Sequence, residues 1–379
     1  MLRWLRWGFT IISCIIFILG SIKSIDQPIS DSEIRAIGTG FEIFYNLEAP
    51  EKFAILEPPL SGIISYTLLK NLYSLGDISY IPSGNYFGLL AFMFALETPK
   101  IIGSQILANI GEKNFKNLRY INLIWIAMIL YLVSRENIIL GGILMLFLYP
   151  FQDRMMTSMT QTLSILLILL VLALMNATIK RMSYFHCIML GVVIGLLIAL
   201  SGSDGILFAG MAIVSVIIWH DIEKKKLSKG FKKQYLLGYL KACFTAMFIL
   251  WICYGMDLVC FCQLQSLLGF TPTNSMRIVP FFDSIKQVVF EVLFPMYEHQ
   301  YSFIGNISEF FNPYNTIITI LNLFLGIKIQ NQNRVFSIVL IASICLYNNS
   351  NPAKIDNFFQ ITSMILVILN TLQIGKLVK

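Results

Sequence analysis

Long apolar runs alternate with short polar interruptions along this chain, and within each run the apolar residues are continuous rather than spaced in twos. A helix needs roughly 20 such residues to cross a bilayer. A barrel would show alternation instead. The pattern predicts helical spans over 8–24, 60–76, 84–104, 118–134, 136–151, 155–178, 184–200, 203–219, 239–265, 313–329, 334–348 and 356–375. The expected fold is therefore all-α: one integral membrane domain over 1–379 with about 12 transmembrane helices.

Three polar segments stand out between the runs. The first, 26–60, holds Asp26, Asp31, Glu33, Glu42, Glu48, Glu51 and Glu57 against only Arg35 and Lys52, about a third of the chain's 21 acids. The second, 221–241, is basic: Glu223 is followed by Lys224, Lys225, Lys226, Lys229, Lys232, Lys233 and Lys241. The third, 268–312, sets Arg277, Lys286 and His299 among aromatic residues. Positive residues favour the cytoplasmic side. Starting from Arg3 and Arg6 inside, alternation places Arg135, Lys180, Arg181 and the 221–241 tract inside as well. Both termini are then cytoplasmic, and 26–60 and 268–312 lie on the opposite face. The first run looks like an uncleaved first span, because Lys23 and Asp26 interrupt any small-residue cleavage site. One loop disagrees: Lys113, Lys116 and Arg119 fall outside, which points to a re-entrant or surface helix within 84–120.

Composition agrees with the pattern. The chain is 56% hydrophobic and 13% charged, with mean hydropathy +0.73, against about 25% charged for soluble domains. The net charge of +7 sits in the short tracts, so it reads as topology rather than a nucleic-acid surface. Cys260 and Cys262 are too close together for a zinc knuckle, and the seven cysteines suggest neither a disulfide framework nor a metal site. His186 and His220 sit at span edges and read as structural.

The chemistry is expected in the acidic segment. Ser30 and Glu33 have the spacing of a capping box, and Arg35 lies four residues from Asp31. Glu57-Pro58-Pro59-Leu60 opens the next run, where a missing N–H costs little. Each feature alone would serve as a helix start.

Taken together, Asp31-Ser-Glu33 after the first span and Glu57-Pro58-Pro59-Leu60 at the second resemble the layout of the GT-C class of membrane glycosyltransferases. Protein O-mannosyltransferases and the aminoarabinose transferases that modify lipid A share it. The resemblance covers the layout of roughly the first 200 residues. It departs at two points: Ser32 separates the two acids, and Glu57 stands where the family has Lys or His before Pro-Pro. A polar junction after Tyr149-Pro150, with Asp153 and Arg154, is similar to one in the family, as is the turn around Asp204.

The resemblance implies an inverting glycosyltransferase. Its donor would be a polyprenyl- or dolichyl-phosphate sugar and its acceptor a lipid or protein, in a bacterial inner membrane or the endoplasmic reticulum. Asp31 or Glu33 is the expected catalytic base. Glu57, Pro58, Pro59, Asp153, Arg154, Arg277 and Lys286 are the expected substrate-binding residues. The donor phosphate needs a positive partner, either the 268–312 loop or a bound divalent cation. Two other readings compete: a non-catalytic membrane subunit of a glycosylation complex, and a multi-span transporter or flippase, for which few mid-span charges are visible.

Overall fold

The computed structural model describes residues 2–48, 58–76, 78, 89–135, 137–180, 183–224, 229–253, 310, 313–328, 332–346 and 352–377. Among these residues the regular elements are helices, with no strand. This is the outcome expected where lipid offers the backbone no hydrogen-bond partner.

Among the described residues, six helical stretches are long and apolar enough to cross a membrane: Arg6–Ile25, Glu112–Ser134, Ile138–Thr157, Met159–Thr178, Tyr184–Ser201 and Asp356–Gly375. Four shorter apolar helices accompany them, Asp204–Ile218, Leu237–Cys253, Pro313–Leu325 and Arg334–Ile344. These ten stretches match ten of the runs read from the sequence, to within a few residues in most cases. The runs at 60–76 and 84–104 contain the helices Pro59–Leu72 and Leu89–Ile110.

The first helix, α1, runs Leu2–Ile25, and α2 follows at Asp31–Glu48. Helices α3 (Pro59–Leu72) and α4 (Leu89–Ile110) both pack on α2. Their common core is Ile37, Tyr66, Leu69, Ile102, Ile106 and Phe115. The three helices approach backbone to backbone. A Cβ added at Gly38 would fall 1.8 Å from the carbonyl oxygen of Pro99, and one at Gly103 would fall 2.0 Å from that of Ile34. No other residue type allows so close an approach.

The bundle proper contains α6 (Ile121–Ser134), α7 (Ile138–Leu148), α9 (Met159–Lys180), α10 (Tyr184–Ser201), α11 (Ser203–Lys224) and α12 (Lys229–Cys253), with α13 (Pro313–Lys328), α14 (Gln332–Leu346) and α15 (Pro352–Leu377). Short α5 (Glu112–Lys116) and a 3-10 turn at Asn117–Tyr120 lead into α6, and α8 (Gln152–Thr157) joins α7 to α9. Pro150 sits in the 3-10 turn that ends α7, and Ser158 is extended between α8 and α9. Helices α9 and α15 form the most enclosed part of the core, through Ile165, Ile168, Val171, Ile365 and Ile368. Gly202, at φ +59°, makes the tight turn between α10 and α11.

The α2–α3–α4 platform rests on one end of this bundle. Ile43 and Ile63 meet Ile198 at the end of α10 and Leu250 and Cys253 at the end of α12. Several other ends gather there. Ser24, near the end of α1, hydrogen-bonds the Asp153 carboxylate on α8. Asn122, opening α6, donates to the Met156 carbonyl at 2.6 Å. Gln161, opening α9, donates to Asn357, opening α15, also at 2.6 Å.

Candidate functional site

The first turn of α2 is built as its sequence implies. The Ser30 N–H donates to Glu33 Oε2 at 2.8 Å, and the Glu33 N–H donates to Ser30 Oγ at 3.4 Å. This reciprocal capping box fixes where α2 begins and which way Glu33 faces.

Glu33 faces Arg119. The guanidinium Nε donates to Glu33 Oε1 at 2.7 Å and Nη2 to Oε2 at 2.8 Å, a bidentate pair. Arg119 is 3% exposed. Its remaining N–H groups reach the carbonyls of Ile25 (2.7 Å), Gln27 (2.8 Å) and Pro28 (2.9 Å). A guanidinium has five N–H donors, and all five are used. The buried charge is thereby compensated, and α1, α2 and the start of α6 are tied at one point.

Asp31 is placed differently. Its side chain is 67% exposed and takes Lys100 of α4 at 2.6 Å. The hydrogen bond and charge of Lys100, with a smaller pull from Arg35, hold the Asp31 carboxyl below its ordinary range. Arg35 reaches Glu97 at 2.9 Å.

Beside the Glu33–Arg119 pair lies a partly open cavity of about 130 Å³. It is bounded by the first turns of α2 and α3, by Phe115 to Asn122, by the 157–160 junction and by Asn357. Hydroxyls dominate its polar wall: Ser32, Ser61, Ser65, Thr157, Ser158 and Thr160. Glu33 and Arg119 are the charged side chains that line it.

The expected residues are thus only partly brought together. Glu33 lines the cavity, and Asp31 is the chain neighbour of Ser32, which does. Pro59 is buried at the start of α3, with Pro58 before it as the N-terminal cap. Asp153 is held by Ser24, and Arg154 pairs with Asp356 at 3.1 Å; neither lines the cavity. Glu57, Arg277 and Lys286 lie outside the described residues. Among the described residues, no three His, Cys, Asp or Glu side chains converge as a metal ion would require.

Arg119, Asn122, Ser61 and Ser65 were not singled out from the sequence as site residues. For Arg119 a signal existed: with Lys113 and Lys116 it broke the charge pattern. Arg119 is paired with Glu33, and Lys116 with Glu112 at 2.7 Å with a further bond to the Asp26 carbonyl. The hydroxyls carry no such mark in a chain this rich in helical serine and threonine.

No protein-family model matches the chain, and neither does any curated protein or solved structure to which it was compared.

Proposed function

We propose that this chain is a membrane glycosyltransferase of the GT-C kind. It would use a polyprenyl- or dolichyl-phosphate sugar at the non-cytoplasmic face, with both termini cytoplasmic. The observation that supports this reading is where the acidic segment goes. Its first helical turn delivers Glu33 to a hydroxyl-lined cavity at the shared end of the bundle, with Asp31 two residues away.

The two acids divide the work. The carboxylate of Glu33 already accepts from Arg119 and Ser30, so it positions α2. Asp31, held only by exposed Lys100 and the nearby charge of Arg35, is the base. The acceptor hydroxyl attacks the anomeric carbon opposite the phosphate, and its proton passes to the Asp31 carboxylate. The bond from the anomeric carbon to phosphate oxygen breaks, and the polyprenyl phosphate leaves with the electron pair. Arg277 or Lys286 neutralises that leaving phosphate. On this reading the ten apolar helices span the membrane, and the α2–α3–α4 platform caps them at the reaction face.

Transfer assays on membranes carrying Asp31→Asn and Glu33→Gln test the division. Asp31→Asn lowers transfer at least about 100-fold with normal assembly, whereas Glu33→Gln reduces the amount of folded protein. Full transfer by Asp31→Asn removes the assigned base.

A second reading, a non-catalytic subunit of a glycosylation complex, is favoured by the cationic partner on each acid. It is the better account if the purified chain, given donor and acceptor, transfers nothing while its deletion abolishes transfer in membranes.

A further inference from the structure

Resting on the transferase reading and sharpening it, we infer that the cavity beside Glu33 receives an uncharged polyhydroxylated ring and leaves the phosphate outside. The ring is either the donor's glycosyl group or a sugar acceptor.

Charge comes first. The charged lining groups, Glu33 and Arg119, cancel each other at hydrogen-bond distance. Arg119 has no N–H left for a phosphate oxygen, since all five are already donated. The Glu33 carboxylate accepts two bonds from Arg119 and two from Ser30, so it has little left for the ammonium of an amino sugar. A charged ring would enter without a counter-ion, which a half-enclosed site disfavours.

Hydrogen-bonding groups do remain. Asn122 is 2% exposed and lines the cavity; its NH₂ is spent on the Met156 carbonyl, while its Oδ1 has no partner. Ser61 and Ser65, one helical turn apart on α3, are buried at the same wall, and no hydrogen bond is recorded for their hydroxyls among the described residues. Asn357 gives its Oδ1 to Gln161, which leaves its NH₂ to donate. An acceptor, two hydroxyls that act either way and a donor complement the mixed donors and acceptors of a polyol. Phe115 and Ile37 supply an apolar wall for the C–H face of a ring.

The test is binding, measured apart from transfer. The full chain in lipid nanodiscs, prepared without glycoside detergents, is titrated calorimetrically with methyl glycopyranosides. The panel holds neutral hexosides and pentosides, a 2-amino hexoside, a uronide and inorganic phosphate. A neutral glycoside is expected to saturate one site, with the amino sugar, the uronide and phosphate at least about tenfold weaker. Ser65→Ala, which leaves the helix intact, and Asn122→Ala each weaken the neutral ring about tenfold. Displacement by a polyprenyl phosphate carrying a neutral sugar identifies the ring as the donor's; saturation without displacement identifies it as the acceptor's. Phosphate or uronide binding as tightly as the neutral ring, no saturable glycoside, or unchanged affinity in Ser65→Ala would overturn the inference. Neutral binding in a chain that transfers nothing sinks the transferase reading alone. Transfer with unchanged binding in Ser65→Ala sinks the cavity assignment alone.

Discussion

The platform of α2, α3 and α4 and the α9–α15 core of the bundle are both helical and closely packed, yet their closest contacts differ. In the bundle, leucine, isoleucine and valine side chains interlock, with Ile165, Ile168 and Ile365 fully enclosed. In the platform, glycines bring main chains together, and Gly38 rests on a carbonyl of the neighbouring helix. The α9–α15 core holds its shape by filling space, whereas the platform adds close main-chain contact to a smaller core of its own. A bundle of this kind tolerates exchange among residues of similar volume. The platform tolerates no addition at its contacts, so its geometry is fixed more tightly, and Glu33 is mounted on it.

The contrast can be broken by substitution, and the steepest loss is expected where platform meets bundle. Arg119→Met strips five hydrogen bonds and leaves Glu33 without its counter-charge. It is expected to cost about 3–5 kcal/mol, read as a fall in thermal unfolding temperature in detergent. Within the platform, adding one methyl at Gly38→Ala is expected to cost about 1–3 kcal/mol, with α2 becoming open to protease. Within the bundle the opposite operation matters. Ile165→Ala leaves a void and is expected to cost about 1–3 kcal/mol, the cavity share of the usual penalty, since lipid-facing states already shelter apolar surface. A Gly38→Ala protein as stable as the parent would dissolve the distinction between the two regions.

Smallest in stability and largest in function is the exposed pair. Asp31→Asn is expected to leave unfolding nearly unchanged, as the loss of a surface ion pair does, while transfer is lost. Acidity sharpens this. Lys100 favours the ionised form of Asp31 and lowers its pKa. On the proposed assignment such a base stays deprotonated through neutral pH, so transfer falls off only on the far acid side. Lys100→Met removes the pull, and the acid limb of the pH–rate profile moves upward. An unmoved limb assigns the proton to another group.

Helix positions were legible in the sequence because hydropathy reports them directly; α10, read as 184–200, is Tyr184–Ser201. The capping box at Ser30 and the helix start at Pro59 were also legible, because both are local. The number of crossings was less so. Of the twelve runs read, six stretches among the described residues are long and apolar enough to cross a membrane. The site was legible only in outline. Glu33 could be nominated from its place after the first span, but its partner lies 86 residues away. That distance is set by how the 3-10 turn before α6 returns beside the end of α1, a tertiary fact that no local motif carries. The same holds for Asn122 and Ser65, whose role depends on what faces them.

The carbonyls of Ile25, Gln27 and Pro28 are closed off by a side chain that the ribosome adds 94 residues after Ile25. At ordinary rates of synthesis that is a wait of about 5–20 seconds. For that interval the trailing end of the first helix to emerge keeps open main-chain acceptors at the bilayer surface. The end of α1 is completed only after α3 and α4 have been made, so the order of assembly does not follow the order of translation.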